Sequence, residues 1–171
     1  MSTRAPCQKK FTLILDLNKT LAFYSKDGVS LRNGLFSFLS IIKPYYELIS
    51  FSCDSNEITQ NILKEIESQD FYFDYNLSRE HSILYENTLV KDISLIGRDI
   101  SKIILVDDDE NCFKLNKENG IKISSYKGDD NDNILFELKK LLLLIYNKNY
   151  DDVRDAIKEY SNDIRYKISL E

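Results

Sequence analysis

The sequence predicts an α/β fold in one domain, with a parallel β-sheet at its centre. Short, continuous apolar runs, which are typical of strands buried on both faces, alternate along the 171 residues with segments that repeat apolar residues at helical spacing. Carboxylates follow directly after two of these runs, at the strand ends where open α/β sheets bind their ligands. Strands that alternate with helices pair in parallel, and their crossover connections are right-handed.

The first predicted strand is Phe11–Leu15, which delivers Asp16 to its carboxyl end. Lys26-Asp27-Gly28 then separates two short apolar runs, Leu21–Tyr24 and Val29–Leu31. Asp-Gly between such runs favours a tight turn, so we expect a small hairpin, or flap, after the first strand.

A helix, a strand and a second helix are predicted next. Asn33-Gly34 opens a helix that ends before Pro44, and Tyr46–Phe51 is the second strand. Asp54 is the candidate cap of the following helix, with Glu57 three residues further on.

The second half of the chain begins with an irregular, aromatic stretch, which predicts an insertion of short strands. Further strands and helices follow at regular intervals. The predicted elements are the insertion at Phe71–Val90, strands at Lys102–Val106 and Lys122–Tyr126, and helices at Ile134–Ile145 and Asp152–Tyr160.

We expect the chain to divide into a disordered leader at 1–10, the domain at 11–160 and a C-terminal tail at 161–171. The leader has arginine, lysine and serine but no acidic residue, so a targeting sequence is the alternative to disorder. The most apolar stretch, Leu141–Ile145, is far shorter than the ~20 residues that a membrane span needs. We therefore expect no membrane-spanning segment in this chain.

The amino-acid composition indicates the class of protein and argues against one kind of partner. With 43% hydrophobic and 30% charged residues, the chain is typical of soluble globular proteins. A net charge of −5 and the lack of a basic cluster argue against a nucleic-acid partner, because such proteins carry a basic patch.

The cysteines and the single histidine allow two interpretations. Cys7, Cys53 and Cys112 are odd in number and show no C-x-x-C spacing, so we interpret them as buried small hydrophobes in a reducing compartment. A reactive thiol or a metal ligand is the alternative. His81 is expected on the surface or in a loop.

Residues with the chemistry of phosphoryl transfer stand at the strand ends. Asp16 and Asp107-Asp108 each follow a core strand, Ser52 ends another, and Lys91 lies in the irregular segment. Together they provide a nucleophile, oxygen ligands for Mg²⁺, a hydroxyl and an ammonium group. A fixed positive charge of this kind stabilises the oxygens of a transferring phosphoryl group.

Several segments also match, in order, the motifs of one phosphatase family. The most specific is Val90–Asp99, against Val-Lys-Asp-Leu-Ser-x-Leu-Gly-Arg-Asp, and Asp16–Leu21 is similar to Asp-Leu-Asp-x-Thr-Leu. The remaining matches are Arg32-Asn33-Gly34, Phe51-Ser52, Ile104–Asp108 and Asn119-Gly120-Ile121.

This order resembles the haloacid dehalogenase superfamily, and within it the phosphatases that act on the RNA polymerase II carboxy-terminal domain. That family also contains the dullard-type phosphatases and the fifty-kilodalton receptor subunit of the mitochondrial presequence translocase. The resemblance covers about Phe11 to Tyr160. It implies a three-layer, Rossmann-like haloacid-dehalogenase fold with a small β insertion between the second and third motifs.

The resemblance also implies roles for individual residues. Asp16 would be the nucleophile and a metal ligand, and Thr20, Ser52 and Lys91 would contact the phosphoryl group. Asp107, Asp108 and the backbone carbonyl of Asn18 would complete a Mg²⁺ site.

Asn18 departs from the family motif, which has an aspartate at this position. That aspartate is the acid that protonates the leaving group and then activates water. General acid–base catalysis is typically worth ~10²–10⁴-fold in rate, and an amide cannot take up and return a proton in this way.

Two functions are compatible with these observations. One is a degenerate phosphatase fold that binds proteins, similar to the translocase receptor, which would imply a mitochondrial location. Tyr126–Asp132 resembles the Trp-x-Gly-x-x-x-Asp element of that branch, and the segment Asp152–Tyr160 also fits the branch. The alternative is a slow Mg²⁺-dependent phosphatase for phosphoserine or phosphothreonine peptides, nuclear or cytoplasmic. A possibility intermediate between the two is that Asp16 forms a long-lived aspartyl-phosphate, so that the protein acts as a phosphate sensor.

Overall fold

The computed structural model describes residues 8–168, and for 161–168 it describes the backbone alone. In chain order the strands and helices are β1 (Phe11–Leu15), β2 (Ala22–Ser25), β3 (Gly28–Leu31), α1 (Leu35–Ile42), β4 (Tyr46–Phe51), α2 (Asn56–Ile66), β5 (Tyr75–Leu77), β6 (Ile83–Tyr85), β7 (Thr88–Val90), β8 (Ile103–Asp107), β9 (Gly120–Lys122), α3 (Ile134–Lys148) and α4 (Val153–Ile168).

Five parallel strands form the central sheet in the order β5-β4-β1-β8-β9, which confirms the predicted α/β fold. β1 lies between β4 and β8, and Leu15 pairs with Ser50 on one side and with Val106 on the other. This register brings Asp16 beside the carboxyl ends of both neighbouring strands.

The two faces of the sheet are covered differently. Leu13 and Leu15 of β1 pack into a large apolar cluster to which α1, α2, α3 and α4 all contribute. Ile14 points to the opposite face, which is covered by residues of two short 3₁₀ turns, 93–96 and 110–113. Burying a side chain of this size stabilises the fold by about 1.5–3 kcal/mol, which explains why β1 is apolar at every position except Thr12.

Two hairpins stand outside the sheet. β2 and β3 pair antiparallel and form the predicted flap, while β6 and β7 pair antiparallel within the predicted insertion. Glu86 and Asn87 both have positive φ, 48° and 61°, at the two-residue turn of the second hairpin. β5, also in the predicted insertion, instead pairs with β4 and forms one edge of the central sheet.

Two local predictions were wrong. Ser55, not Asp54, caps α2, because its hydroxyl accepts from the Ile58 amide while the Asp54 amide donates to Ser52 Oγ. The strand predicted at Lys122–Tyr126 lies earlier, at β9. After β9 the chain bends back toward the end of β1, where the Tyr126 amide donates to the Lys19 carbonyl.

The ends of the chain complete the description. α4 continues to Ile168, past residue 160 at which the predicted domain ends. Residues 1–7 of the predicted leader and 169–171 of the predicted tail lie outside the described residues. Within the described part of the chain, no helix has the length and apolar character needed to cross a membrane.

Candidate functional site

A buried lysine joins two carboxylates at the carboxyl edge of the sheet. Lys91, directly after β7, is 0% exposed, and its Nζ lies 2.7 Å from Asp16 Oδ1 and 2.6 Å from Asp107 Oδ2. Asp16 follows β1 and Asp107 ends β8, so the parallel pairing of these strands places both carboxylates within reach of one ammonium group. All three are residues that the sequence singles out.

The electrostatics of this cluster follow from burial. Burial lowers the pKa of Lys91, but the Asp16 and Asp107 carboxylates outweigh that effect, and the net pKa is raised. Burial raises the pKa of Asp107, and repulsion by Asp16 adds to the increase. The cluster therefore contains two acidic groups and one basic group, and a further positive charge would balance its charge.

Asp108 is held by two hydroxyl groups. Its amide donates to Thr20 Oγ1 at 3.2 Å, and Thr20 Oγ1 donates to Asp108 Oδ1 at 3.4 Å. Ser125 donates to Asp108 Oδ2. Partial burial raises the pKa of Asp108, and the Ser125 hydrogen bond opposes this rise. Thr20 thus contacts a carboxylate in the structure, where the resemblance implied a phosphoryl contact.

Ser125 was missed by the sequence analysis. It lies in the predicted strand Lys122–Tyr126, which in fact ends at Lys122. Had the strand been predicted to end at Lys122, Ser125 would have stood just beyond a strand end. That is the position by which the other site residues were identified.

Three carboxylates could hold a metal ion. Asp16, Asp107 and Asp108 each offer an oxygen, and these oxygens lie within 4.8 Å of one another; no other such group of His, Cys, Asp or Glu occurs within residues 8–160. Mg²⁺ is usually held by one or two carboxylates together with substrate phosphate and water. The donor atoms and their charge therefore fit this ion.

Ser52 is buried next to β5, and its amide donates to the Leu77 carbonyl at 3.0 Å. Its hydroxyl oxygen accepts from Thr59 Oγ1 at 3.0 Å and from the Asp54 amide at 3.2 Å. A hydroxyl has two acceptor positions and one donor, so these bonds orient the Ser52 proton for donation to another acceptor. The structure does not bond Ser52 to the carboxylate cluster.

Asn18 is turned toward the flap. Its Oδ1 accepts from the Tyr24 amide of β2 at 3.1 Å, and the next residue, Lys19, has a φ of 66°. The side chain therefore ties the turn after β1 to the flap, two residues beyond Asp16.

Two of the cysteines were predicted to be buried, and the structure corrects only the degree of burial. Cys53 and Cys112 are both free thiols and both are half-buried. The hydrogen bond with Cys112, together with the charge of Lys91, outweighs burial and lowers the pKa of Cys53 to about 7. The same hydrogen bond, together with burial, raises the pKa of Cys112. Cys7 lies outside the described residues.

Two other features lie away from the cluster. His81 is exposed, as expected, and its Nδ1 accepts from the Ser78 amide. A groove of about 1150 Å³ lies along β9 and the start of α4, with Lys122, Arg154 and Asp155 among its lining residues. The groove contains none of the predicted site residues, so we place the candidate site at the carboxyl edge of the sheet and not in this groove.

The parallel sheet, the flap and the lysine–carboxylate cluster define a haloacid-dehalogenase-type phosphatase domain. Residues 11–154 match the family described as NLI interacting factor-like phosphatase, and the chain belongs to that family.

Two of the similar proteins are subunits of a mitochondrial translocase. The mitochondrial import inner membrane translocase subunit TIM50 of Yarrowia lipolytica is 32% identical over 160 residues, which cover 91% of this chain and 34% of that protein. TIM50 of Danio rerio is 27% identical over 161 residues, which cover 91% of this chain and 41% of that protein. The chain thus spans well under half the length of these two relatives.

Solved structures show the same fold. Fcp1, an essential RNA polymerase II CTD phosphatase, superposes with a TM-score of 0.57 at 20% identity, over 90% of this chain and 53% of that chain. Fission yeast Fcp1 bound to beryllium fluoride gives a TM-score of 0.54 at 20% identity, over 90% and 55%. This likeness confirms the predicted haloacid-dehalogenase fold.

Proposed function

We propose that this chain is a protein-binding module built on a phosphatase fold, with little or no phosphatase activity and a role similar to that of the TIM50 translocase subunits. The observation that carries the proposal is Asn18, an amide in the position of the general acid, beside a cluster that is otherwise assembled.

The chemical reason is the fate of one proton. Attack by Asp16 on a phosphoserine breaks the P–O bond, and the departing serine oxygen needs a proton. Asn18 cannot supply it, and its Oδ1 is already bonded to the Tyr24 amide. The loss of a general acid raises the barrier by roughly 3–5 kcal/mol, which is enough to suppress turnover.

Sequence similarity supports the choice of partner. Relatives at about 30% identity over nine-tenths of the chain are subunits of a mitochondrial protein translocase. We infer a protein partner and a mitochondrial location, and no nucleic-acid partner. The similarity between Tyr126–Asp132 and the element of that branch adds little, because Tyr126 donates to the Leu31 carbonyl and Asp132 binds Arg32, both structural contacts. A purely nuclear or cytosolic location would overturn the inference.

The second candidate is a slow Mg²⁺-dependent phosphatase for phosphoserine or phosphothreonine peptides. It is favoured by the geometry of Asp16, Lys91 and Asp107, which places a nucleophile, an ammonium group and a second carboxylate together. Asp16 would attack phosphorus, while Lys91 and Ser52 would bind the phosphoryl oxygens. Mg²⁺, held by Asp16, Asp107, Asp108 and the Asn18 carbonyl, would neutralise negative charge there.

Hydrolysis of an aryl phosphate, with and without Mg²⁺, separates the two candidates. Wild type is expected to stay at the background rate of Asp16→Asn, and Asn18→Asp is expected to exceed it by ~10²–10⁴-fold. Asn18→Asp is a matched change, since an aspartate can still accept from the Tyr24 amide. Mg²⁺-dependent turnover by wild type that requires Asp16 would overturn the binding-module proposal in favour of the enzyme.

The intermediate possibility has its own readout. Without an efficient acid–base group, Asp16 would retain phosphate as a long-lived aspartyl-phosphate. Intact-mass spectra after exposure to acetyl phosphate would then show a phosphate adduct in wild type and none in Asp16→Asn. A wild-type spectrum without the adduct contradicts this possibility.

A further inference from the structure

We propose that Arg32 is a positioning residue for Asp108, which it holds in place through the two hydroxyl groups that bond this carboxylate. The inference rests on the proposed function of Asp16, Asp107 and Asp108 as ligands of a divalent cation. It holds whether or not the site hydrolyses phosphate, and it gives a specific role to a residue that the sequence singles out only as part of a family motif.

Arg32 is buried directly after the flap. It follows β3 and is 1% exposed. Its guanidinium forms a bidentate ion pair with Asp132, in which Nε lies 2.8 Å from Oδ1 and Nη2 lies 2.6 Å from Oδ2. A planar guanidinium that binds a carboxylate through two nitrogens is fixed in direction. Its remaining N–H groups are therefore aimed at fixed points of the neighbouring chain.

The first of these points is the turn after β1. Arg32 Nη1 donates to the Thr20 carbonyl at 3.0 Å, and the Arg32 amide donates to the Leu21 carbonyl at 2.9 Å. The Thr20 hydroxyl accepts from the Asp108 amide at 3.2 Å and donates to Asp108 Oδ1 at 3.4 Å. Arg32 thus fixes the backbone that carries the first of the two hydroxyl groups.

The second point is the segment after β9. Arg32 Nη2 donates to Ser124 Oγ at 3.3 Å, and the guanidinium carbon lies 5.5 Å from the centre of the Tyr126 ring. Ser125 lies between these two residues and donates to Asp108 Oδ2 at 2.5 Å. Arg32 therefore restrains the chain on both sides of the second hydroxyl group.

Asp108 is the carboxylate of the cluster that gains most from such support. Asp16 and Asp107 are buried and bonded to the Lys91 ammonium, whereas Asp108 is half-buried and is held by hydroxyl groups. A ligand that is already oriented loses less conformational freedom when the cation binds. Residues that orient metal ligands typically contribute 10–100-fold to metal affinity.

The affinity for Mn²⁺ tests this role. Mn²⁺ takes carboxylate and water ligands as Mg²⁺ does, and the free ion is measured by its electron paramagnetic resonance signal. Arg32→Lys keeps the positive charge beside Asp132 but replaces the planar fork by a single ammonium group. We expect this variant to bind Mn²⁺ ~10–100-fold more weakly than wild type.

Arg98→Lys is the matched control. Arg98 forms the same kind of bidentate pair with Glu47, with Nε 3.0 Å from Oε2 and Nη2 2.7 Å from Oε1, and both side chains are largely buried. Glu47 is paired with Thr12 near the start of β1, at the edge of the sheet opposite the carboxylates. Arg98→Lys should lower the free energy of unfolding and leave the Mn²⁺ affinity unchanged. Equal losses of affinity in the two variants, or no loss in Arg32→Lys, would overturn the proposal.

A double-mutant cycle identifies the ligand on which Arg32 acts. Asp108→Ala removes the carboxylate that Arg32 is proposed to position, so adding Arg32→Lys to this variant should cost little further Mn²⁺ affinity. The full ~10–100-fold loss in the Asp108→Ala background would show that Arg32 acts elsewhere, and the proposal would fail.

A readout without metal separates the positioning role from the cation site. Hydrogen exchange of the Asp108 amide, which donates to Thr20 Oγ1, should become several-fold faster in Arg32→Lys relative to the amides of β1. Arg98→Lys should leave this ratio as in wild type. An unchanged ratio in Arg32→Lys would overturn the positioning role, whereas failure of wild type to bind Mn²⁺ would overturn the cation site on which that role rests.

Discussion

Lys91 supplies the charge that allows two buried carboxylates to lie together at the end of the sheet. Its Nζ is within 2.7 Å of both Asp16 and Asp107, and its side chain is fully buried. Removing one partner of a buried ion pair is costly, because the remaining charge stays buried without compensation.

We therefore predict that Lys91→Met lowers the free energy of unfolding by about 3–5 kcal/mol, measured by urea denaturation at neutral pH. Methionine keeps much of the apolar stem and removes the charge. Lys26→Ala, at an exposed position in the flap, is the control and should change stability by no more than ~0.5 kcal/mol. Similar losses in both variants would contradict the assigned electrostatic role.

A second prediction concerns the reactivity of Cys53. Its pKa is lowered from 9.0 to about 7, chiefly by the hydrogen bond with Cys112. The thiolate, which is the reactive form, accumulates above that pKa, so alkylation of Cys53 by iodoacetamide should show a midpoint near pH 7. Cys112→Ala removes the hydrogen bond and should move the midpoint upward. An unchanged midpoint in the variant would contradict the role of Cys112 in lowering the pKa of Cys53.

At the scale of elements, one glycine controls the contact between β9 and the turn at 110–113. A Cβ on Gly120 would lie 2.2 Å from Cδ2 of the Phe113 ring, which is itself buried in the smaller apolar cluster. The backbone of Gly120 is ordinary extended chain, with φ −91°, so space alone decides which residue can stand here.

Gly120→Ala should destabilise the protein by about 1–3 kcal/mol, since the buried ring has to move to admit the methyl group. Thermal unfolding measures the loss. Phe113→Leu removes the ring, so Gly120→Ala should cost less stability in the Phe113→Leu background than in wild type. Purely additive losses in the double variant would show that the two residues do not compete for this space.

The elements themselves were largely predictable. β1, β4 and β8 are buried along their whole length, so their sequences are mainly apolar and local reading detects them. The cap of α2 was not predictable in this way, because Asp54 and Ser55 are both suitable residue types and adjacent. What decides between them is a contact outside the helix, the bond from the Asp54 amide to Ser52.

At the scale of the whole molecule, metal binding should appear as added stability. A ligand that binds only the folded state at 100 times its Kd stabilises that state by ~2.7 kcal/mol, which corresponds to a rise in Tm of roughly 5–10 °C for a chain of this size. We predict such a rise with saturating Mg²⁺, reversed by chelation with EDTA.

Asp108→Asn, which removes one carboxylate of the cluster, should lose most of this rise. Asp27→Asn, at the exposed turn of the flap, should keep it. An equal rise in both variants would mean that Mg²⁺ acts on the protein without using the Asp16–Asp107–Asp108 cluster.

The sequence by itself determined the α/β class, the strands and helices, and the acidic residues at the strand ends, because these depend on local periodicity and on residue type. Only the tertiary structure decided which distant side chains meet: Lys91 with Asp16 across 75 positions, Ser125 with Asp108, and Arg32 with Asp132. The physical reason is strand order. Placing β1 between β4 and β8 brings their ends together, and no local pattern encodes that order.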